Sequence, residues 1–374
     1  MKRKFYYISN ARIPTEKAHG VHMMKMCEAF ANAGEEVIFV VPKRFNKIKE
    51  DPYIYYNVEQ NFVIKRLPCI DFIKFIPWVG FWIQYLSYII VLKIRFIFSS
   101  RKDKLIYTRE FLIAMLFRLL GFETVYESHR VLQKKKMFFW LLGGIKKIVT
   151  NSRGVADEFT ANGFKDVLPA SNAVDTREFE NLTDIRCPSD LPTDGKIVMY
   201  TGHLFDWKGI DTVMEVARQL ADNPRGSATH FVFIGGTDTD VEKYKKLNIK
   251  NTIFLGHKPK KEIPSYLKSA DVLLLPNSPV SEESIKYTSP MKLFEYMASG
   301  VPIVASDLPS IREVLNEENS VLVSPDNSIQ MKEAIERVLS SPDFAEKISA
   351  QAKLDVKDRT WDNRAKKILE FVSR

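Results

Sequence analysis

Short apolar runs, each stopped by a polar or glycine-bearing turn, alternate with helix-length stretches along the whole chain, and this alternation constrains the fold most. Runs at 5–8, 37–41, 105–108, 124–126 and 148–150 read as buried strands in the first half. Runs at 197–201, 231–234, 252–255, 272–275 and 302–305 repeat the pattern in the second. Unbroken apolar strands separated by helices suit parallel sheets covered on both faces. At 374 residues the chain exceeds what one core supports, so two doubly wound α/β domains are expected. The spacing places the first domain at 1–180 and a turn-rich linker at 181–195. The second domain follows at 196–357, and a terminal segment with an amphipathic helix, 358–374, packs outside the second domain's own sheet.

Charge is unevenly placed. The net charge is +9, but residues 1–180 hold 29 Lys and Arg against 18 Asp and Glu, while the remainder holds 26 against 28. A basic half points to a polyanionic surface, nucleic acid or anionic lipid. Residues 75–92 are eighteen mostly apolar positions rich in Trp, Tyr and Phe, with Lys74, Lys93 and Arg95 at their ends. Pro77, Gly80, Gln84 and Ser87 interrupt them, so a long core helix or one lying in a bilayer interface fits better than a crossing. A second basic and aromatic patch runs from Lys134 to Trp140. Cys27, Cys69 and Cys187 lie far apart without metal or pairing spacing, which suits a reducing compartment. The N-terminus has too few apolar residues for a signal-peptide core.

The densest chemistry sits at 287–307. Ser289 is a suitable N-cap and Pro290 a suitable first helical residue, so the amides of Met291, Lys292 and Leu293 are expected to face an anion beside the Lys292 ammonium. Glu295 falls at the shoulder of that helix's apolar arc, where a carboxylate needs a partner. In an open parallel sheet ligands gather beyond the carboxyl ends of strands. There the sequence puts His129, and Lys208 in the turn after the 197–201 strand. Gly20 stands alone at the start of the first helix, so the three-glycine dinucleotide fingerprint is absent and a nicotinamide oxidoreductase is disfavoured. Asp238-Thr-Asp240 reads as a turn and helix start, not a metal site.

Taken together, His19-Gly20, Glu127-Ser-His129, Asn172-Ala-Val-Asp175, Gly202-His-Leu with Lys208-Gly209, and Ser289-Pro-Met-Lys-Leu-Phe-Glu-Tyr-Met-Ala-Ser-Gly300 resemble the retaining glycosyltransferases of family GT4. The resemblance covers nearly the whole chain. It implies a GT-B fold, two Rossmann-like domains facing a cleft, with the C-terminal helix returning to the first. It implies a nucleotide-sugar donor (UDP- or GDP-linked) and a glycan or lipid-linked acceptor in cell-surface glycan synthesis. No metal or other cofactor and no nucleic acid are implied, and the expected place is the cytoplasm, at a membrane surface. Glu295 looks like the family's ribose-binding glutamate and Lys208 its diphosphate lysine. His129 resembles the histidine on the donor sugar, and Gly20 the glycine facing the phosphates. Lys258 lies in the loop similar to the base-reading edge. Two positions depart from the pattern: Tyr287 stands where the family has a glutamate, leaving Glu282 or Glu283 to replace it, and His203 stands where an arginine is common. An epimerase or phosphorylase on the same architecture, or a non-catalytic binder of anionic surfaces, remains open.

Overall fold

The computed structural model describes residues 3–131, 135–180, 182, 187–221 and 228–374. Lys134 and most of 181–186 in the expected linker lie outside the described residues. Two compact units emerge, Met1–Ser171 with Trp361–Arg374, and Asn172–Thr360.

The first unit is built on seven parallel strands: β1 (Lys4–Ile8), β2 (Glu36–Pro42), β3 (Val63–Leu67), β4 (Lys104–Thr108), β5 (Glu123–Ser128), β6 (Lys147–Thr150) and β7 (Asp166–Pro169). Their order is β3-β2-β1-β4-β5-β6-β7, so the direction of winding reverses between β1 and β4. The apolar runs foretold β1, β2, β4, β5 and β6. The edge strands β3 and β7 escaped because little of either is buried, and so neither carries an apolar run. Helix α1 (Ala18–Asn32) buries Met23, Met24, Met26, Cys27 and Phe30, and α2 (Pro77–Phe96) is the long apolar helix.

The second unit has six parallel strands: β8 (Lys196–Thr201), β9 (Thr229–Ile234), β10 (Thr252–Gly256), β11 (Val272–Leu275), β12 (Ile303–Ser306) and β13 (Val321–Val323), ordered β10-β9-β8-β11-β12-β13. Winding reverses between β8 and β11. Both sheets are thus open, parallel and doubly wound. Asp240 and Thr237 form a capping box, so the Asp238–Asp240 stretch starts a helix as expected.

The boundary expected at 180 falls at 171/172. Val174, Phe179 and Leu191 are all buried in the core of the second unit, so residues 172–180 and Leu191 of the expected linker pack with that unit. The return point is also later than 358. Val174 donates its amide to Arg359 O at 3.1 Å, which keeps residues up to 360 with the second unit. Helix α4 (Trp361–Ser373), numbered after α3 (Met291–Ser299), belongs to the first unit, where it lies along α1.

Candidate functional site

The carboxyl end of β8 is where the second unit concentrates charge. Gly202 follows the strand with φ +124°, a left-handed conformation only glycine adopts readily. From the first turn of α3, Lys292 reaches back to donate to Thr201 O at 3.0 Å, with its ammonium 3.6 Å from the centre of the Tyr200 ring. One turn on, Tyr296 accepts the Thr201 amide at 2.9 Å. Lys208 sits in the turn Asp206–Lys208, over the Trp207 ring at 3.6 Å. Ser278 ties the end of β11 to that turn through Trp207 O at 3.0 Å. Lys292 lies in the field of Lys208. Burial pushes Lys208 down to about 7, with Glu283 opposing. Burial, then the charge of Lys208, holds Lys292 well below the usual lysine range, with Glu295 opposing. An anion placed there would reverse both shifts. Asn277, one residue back from Ser278, is wholly buried with neither amide atom partnered among the described residues. No sequence spacing singled it out.

Helix α3 starts one residue later than the sequence implied. Pro290 is its N-cap, no side chain caps it, and the Leu293 amide donates to Pro290 O at 3.1 Å. Ser289 therefore caps nothing. Its hydroxyl accepts the Asn172 amide at 3.0 Å, and the Asn172 side chain donates to Ser289 O. The serine hydroxyl is committed to Asn172 and not to the amides of the first turn. Leu293 is buried in the core, with its amide already bonded, and so it leaves the expected anion set. Met291 and Lys292 remain at the helix start. Tyr287 is buried at the end of the turn Glu283–Tyr287. His203 is exposed and stacks flat on Phe205 at 4.8 Å.

Glu295 has a partner, Lys260, with which it forms an ion pair. Lys258 does not join it. Its ammonium pairs with Asp190 at 2.6 Å beside the Tyr266 ring, and Tyr266 donates to the same carboxylate. Several lysines crowd this loop, and nothing in their spacing distinguishes the one that turns inward.

In the first unit His129 is one spoke of a buried hub. Its Nε2 lies 2.8 Å from Glu127 Oε1, and Arg364 of α4 donates to the same oxygen at 2.6 Å. Tyr107 donates to Oε2 at 2.8 Å, and His22 Nε2 stands 3.3 Å from Oε1. Arg109 contacts His22 Nδ1 at 3.1 Å, and Arg364 also donates to Ala170 O and Ser171 O. Burial acts to raise the Glu127 carboxyl, but Arg364 and then the two histidines hold it well below its usual range. Burial, reinforced by Arg109, drops His129 to about 4, so its ring is neutral near pH 7. Of this hub the sequence assigned a role only to His129, with Glu127 in the same stretch. His22, Glu127 and His129 offer three ligand atoms within 4.8 Å of one another, yet a metal would have to compete with Arg364 for the shared carboxylate oxygen. Gly20 proves to be a packing position. A Cβ there would run into the Tyr56 hydroxyl, which is held by Thr15 N at 2.6 Å and Thr15 O at 2.8 Å.

Comparison with known proteins agrees with this geometry. Residues 183–355 match the sequence profile of the glycosyl transferases group 1 family. The putative teichuronic acid biosynthesis glycosyltransferase TuaC of Bacillus subtilis is 28% identical over 158 residues, which is 42% of this chain and 36% of that relative. The chain spans less than half the length of the first curated relatives it matches. Two solved structures share the whole fold. Sucrose-phosphate synthase of Thermosynechococcus elongatus superposes with a TM-score of 0.76 at 17% identity, over 100% of this chain and 98% of its own. Anabaena HepE in complex with UDP-glucose does so at 0.72 and 15%, over 99% of each. The profile match in one unit and the two-unit match in fold converge: residues 183–355 are similar to the glycosyl transferases group 1 family, and the chain has a GT-B fold.

Proposed function

We propose that this chain transfers a hexose or N-acetylhexosamine from a UDP- or GDP-sugar to a lipid-linked or polysaccharide acceptor, with retention of configuration. The observation that carries the reading is the pair Lys208 and Lys292 at the carboxyl edge of β8, with Glu295 on the same helix as Lys292. Two ammoniums held below their ordinary range suit a diphosphate, whose charge grows as it leaves. Glu295 is the carboxylate for the ribose hydroxyls, with Lys260 as its ion-pair partner until they arrive. UDP-glucose in Anabaena HepE and the teichuronic acid synthesis named for TuaC support the donor and acceptor classes.

In the reaction the bond from the anomeric carbon to the diphosphate oxygen breaks. The acceptor hydroxyl bonds the same face of that carbon, and its proton passes to the departing diphosphate. To the neutral ring of His129, bonded to Glu127, we assign a hydrogen bond to the sugar. No step is assigned to a metal. Replacing Glu295 with Ala is expected to weaken UDP-sugar binding about tenfold or more, from loss of a charge-assisted pair. Unchanged affinity by titration calorimetry would remove Glu295 from the site. Release of UDP together with a new glycoside of unchanged anomeric configuration tests the reaction itself.

A further inference from the structure

Helix α2 is apolar on both of its faces. Tyr85, Tyr88, Leu92 and Phe96 turn inward and pack on Ile8, Val40, Ile106 and Phe117. At about 100° per residue, the opposite arc collects Trp78, Trp82, Ile83, Leu86, Ile90 and Ile94. All six are exposed, Trp78 at 76% and Ile94 at 68%. Lys93 is the one charged side chain inside that arc. A helix on the surface of a soluble domain ordinarily shows water a polar stripe, and a continuous apolar one marks an interaction surface.

The charge around this face selects its occupant. No acidic residue occurs from 72 to 102, whereas Lys74, Lys93, Arg95, Arg101 and Lys102 all do. Lys74 sits 5.3 Å from the centre of the exposed Phe45 ring, so an aromatic and a cation extend the face beyond the helix. Tryptophan and basic side chains around an apolar face are what the headgroup region of a bilayer accommodates. A second copy meeting this face isologously would set the same cations against themselves. The helix is long enough to cross a bilayer, but its inward face is core, which a crossing would strip.

We propose that the exposed arc of α2 seats in the interfacial layer of an anionic lipid bilayer, with Lys74 and Lys93 against the headgroups. The inference deepens the transferase reading, because a lipid-linked acceptor is met at such a surface, but its test needs no turnover. Full-length protein is to be sedimented with phosphatidylcholine vesicles, with and without phosphatidylglycerol. The expected result is pelleting that requires phosphatidylglycerol and weakens with added salt, with tryptophan emission shifting to the blue. W78S/W82S is expected to lower the vesicle partition coefficient about tenfold. L86S/I90S serves as the second variant, and unfolding midpoints equal to the parent's show that each stays folded. Binding of UDP, measured on the same samples, is expected to be unchanged, so loss of the membrane contact is separable from loss of the transferase site. Failure to pellet, or pelleting unaffected in both variants, would overturn the proposal. So would a concentration-dependent dimer abolished by the same substitutions, which would assign the arc to a second copy.

Discussion

Lys208, Lys292 and Glu127 show how a single side chain's surroundings set what it does. With Lys208 at about 7, part of it is neutral at physiological pH, and a bound diphosphate would raise it again. Donor binding is therefore expected to take up protons above pH 7 and to weaken as pH rises further. Calorimetry of UDP binding in buffers of different ionisation enthalpy at pH 8.5 reads both. Lys208→Ala should reduce the uptake to the part carried by Lys292 and cost about ten- to hundredfold in affinity, the worth of a hydrogen bond to a charged group. Glu127→Gln leaves Arg364 buried against a neutral amide, and denaturant unfolding should show a loss of about 3–5 kcal/mol. Acid acts on the hub through His129 and, outside the hub, on His19. Below pH 6.5 the unfolded chain binds protons that folded His129 and His19 refuse until about 4, so stability is lost as pH falls across that window. Unfolding followed at pH 7, 6, 5 and 4 checks the direction, and His129→Gln should flatten the dependence.

At the scale of elements, the start of α1 and the start of α3 look alike in sequence, a small residue before a helix beside a cation, yet they are built differently. Gly20 makes room for the Tyr56 hydroxyl, which bonds Thr15 through both backbone atoms. Gly20→Ala should cost about 1–3 kcal/mol by overpacking, measured as a lowered denaturation midpoint. Donor affinity measured well below the denaturation midpoint, where the variant is folded, should stay near that of the parent. A large fall in affinity with full stability would return Gly20 to the ligand site. The start of α3 is instead set by Asn172, more than a hundred residues away in sequence, whose amide and side chain both fasten Ser289. A local capping rule has no means of seeing that partner.

For the whole molecule the last thirteen-residue helix matters most. It closes the first unit with a buried guanidinium on Glu127 and an indole edge-on to His22 at 5.3 Å. Ending the chain at residue 360 is expected to lower or abolish the unfolding transition of the first unit, because the Glu127 carboxylate would lose its strongest cation. The second unit keeps its own core, so its transition should persist in differential scanning calorimetry. A single unchanged transition would contradict this division.

The amino-acid sequence by itself determined the strands that lie within the sheets, the doubly wound class and the family resemblance of residues 183–355. Strands buried on both faces write their burial into consecutive apolar residues, and helices between them leave parallel pairing as the outcome. It also marked Lys208, Lys292 and Glu295, because each sits at a strand end or helix start. Only the tertiary structure decided that Lys260 and not Lys258 pairs with Glu295, that Ser289 binds Asn172, and that both faces of α2 are apolar with one left in water. It alone joined Arg364 to Glu127 across 237 residues. Contacts of that span are selected by packing in three dimensions, and they leave no period, cap or turn in the chain from which they could be read.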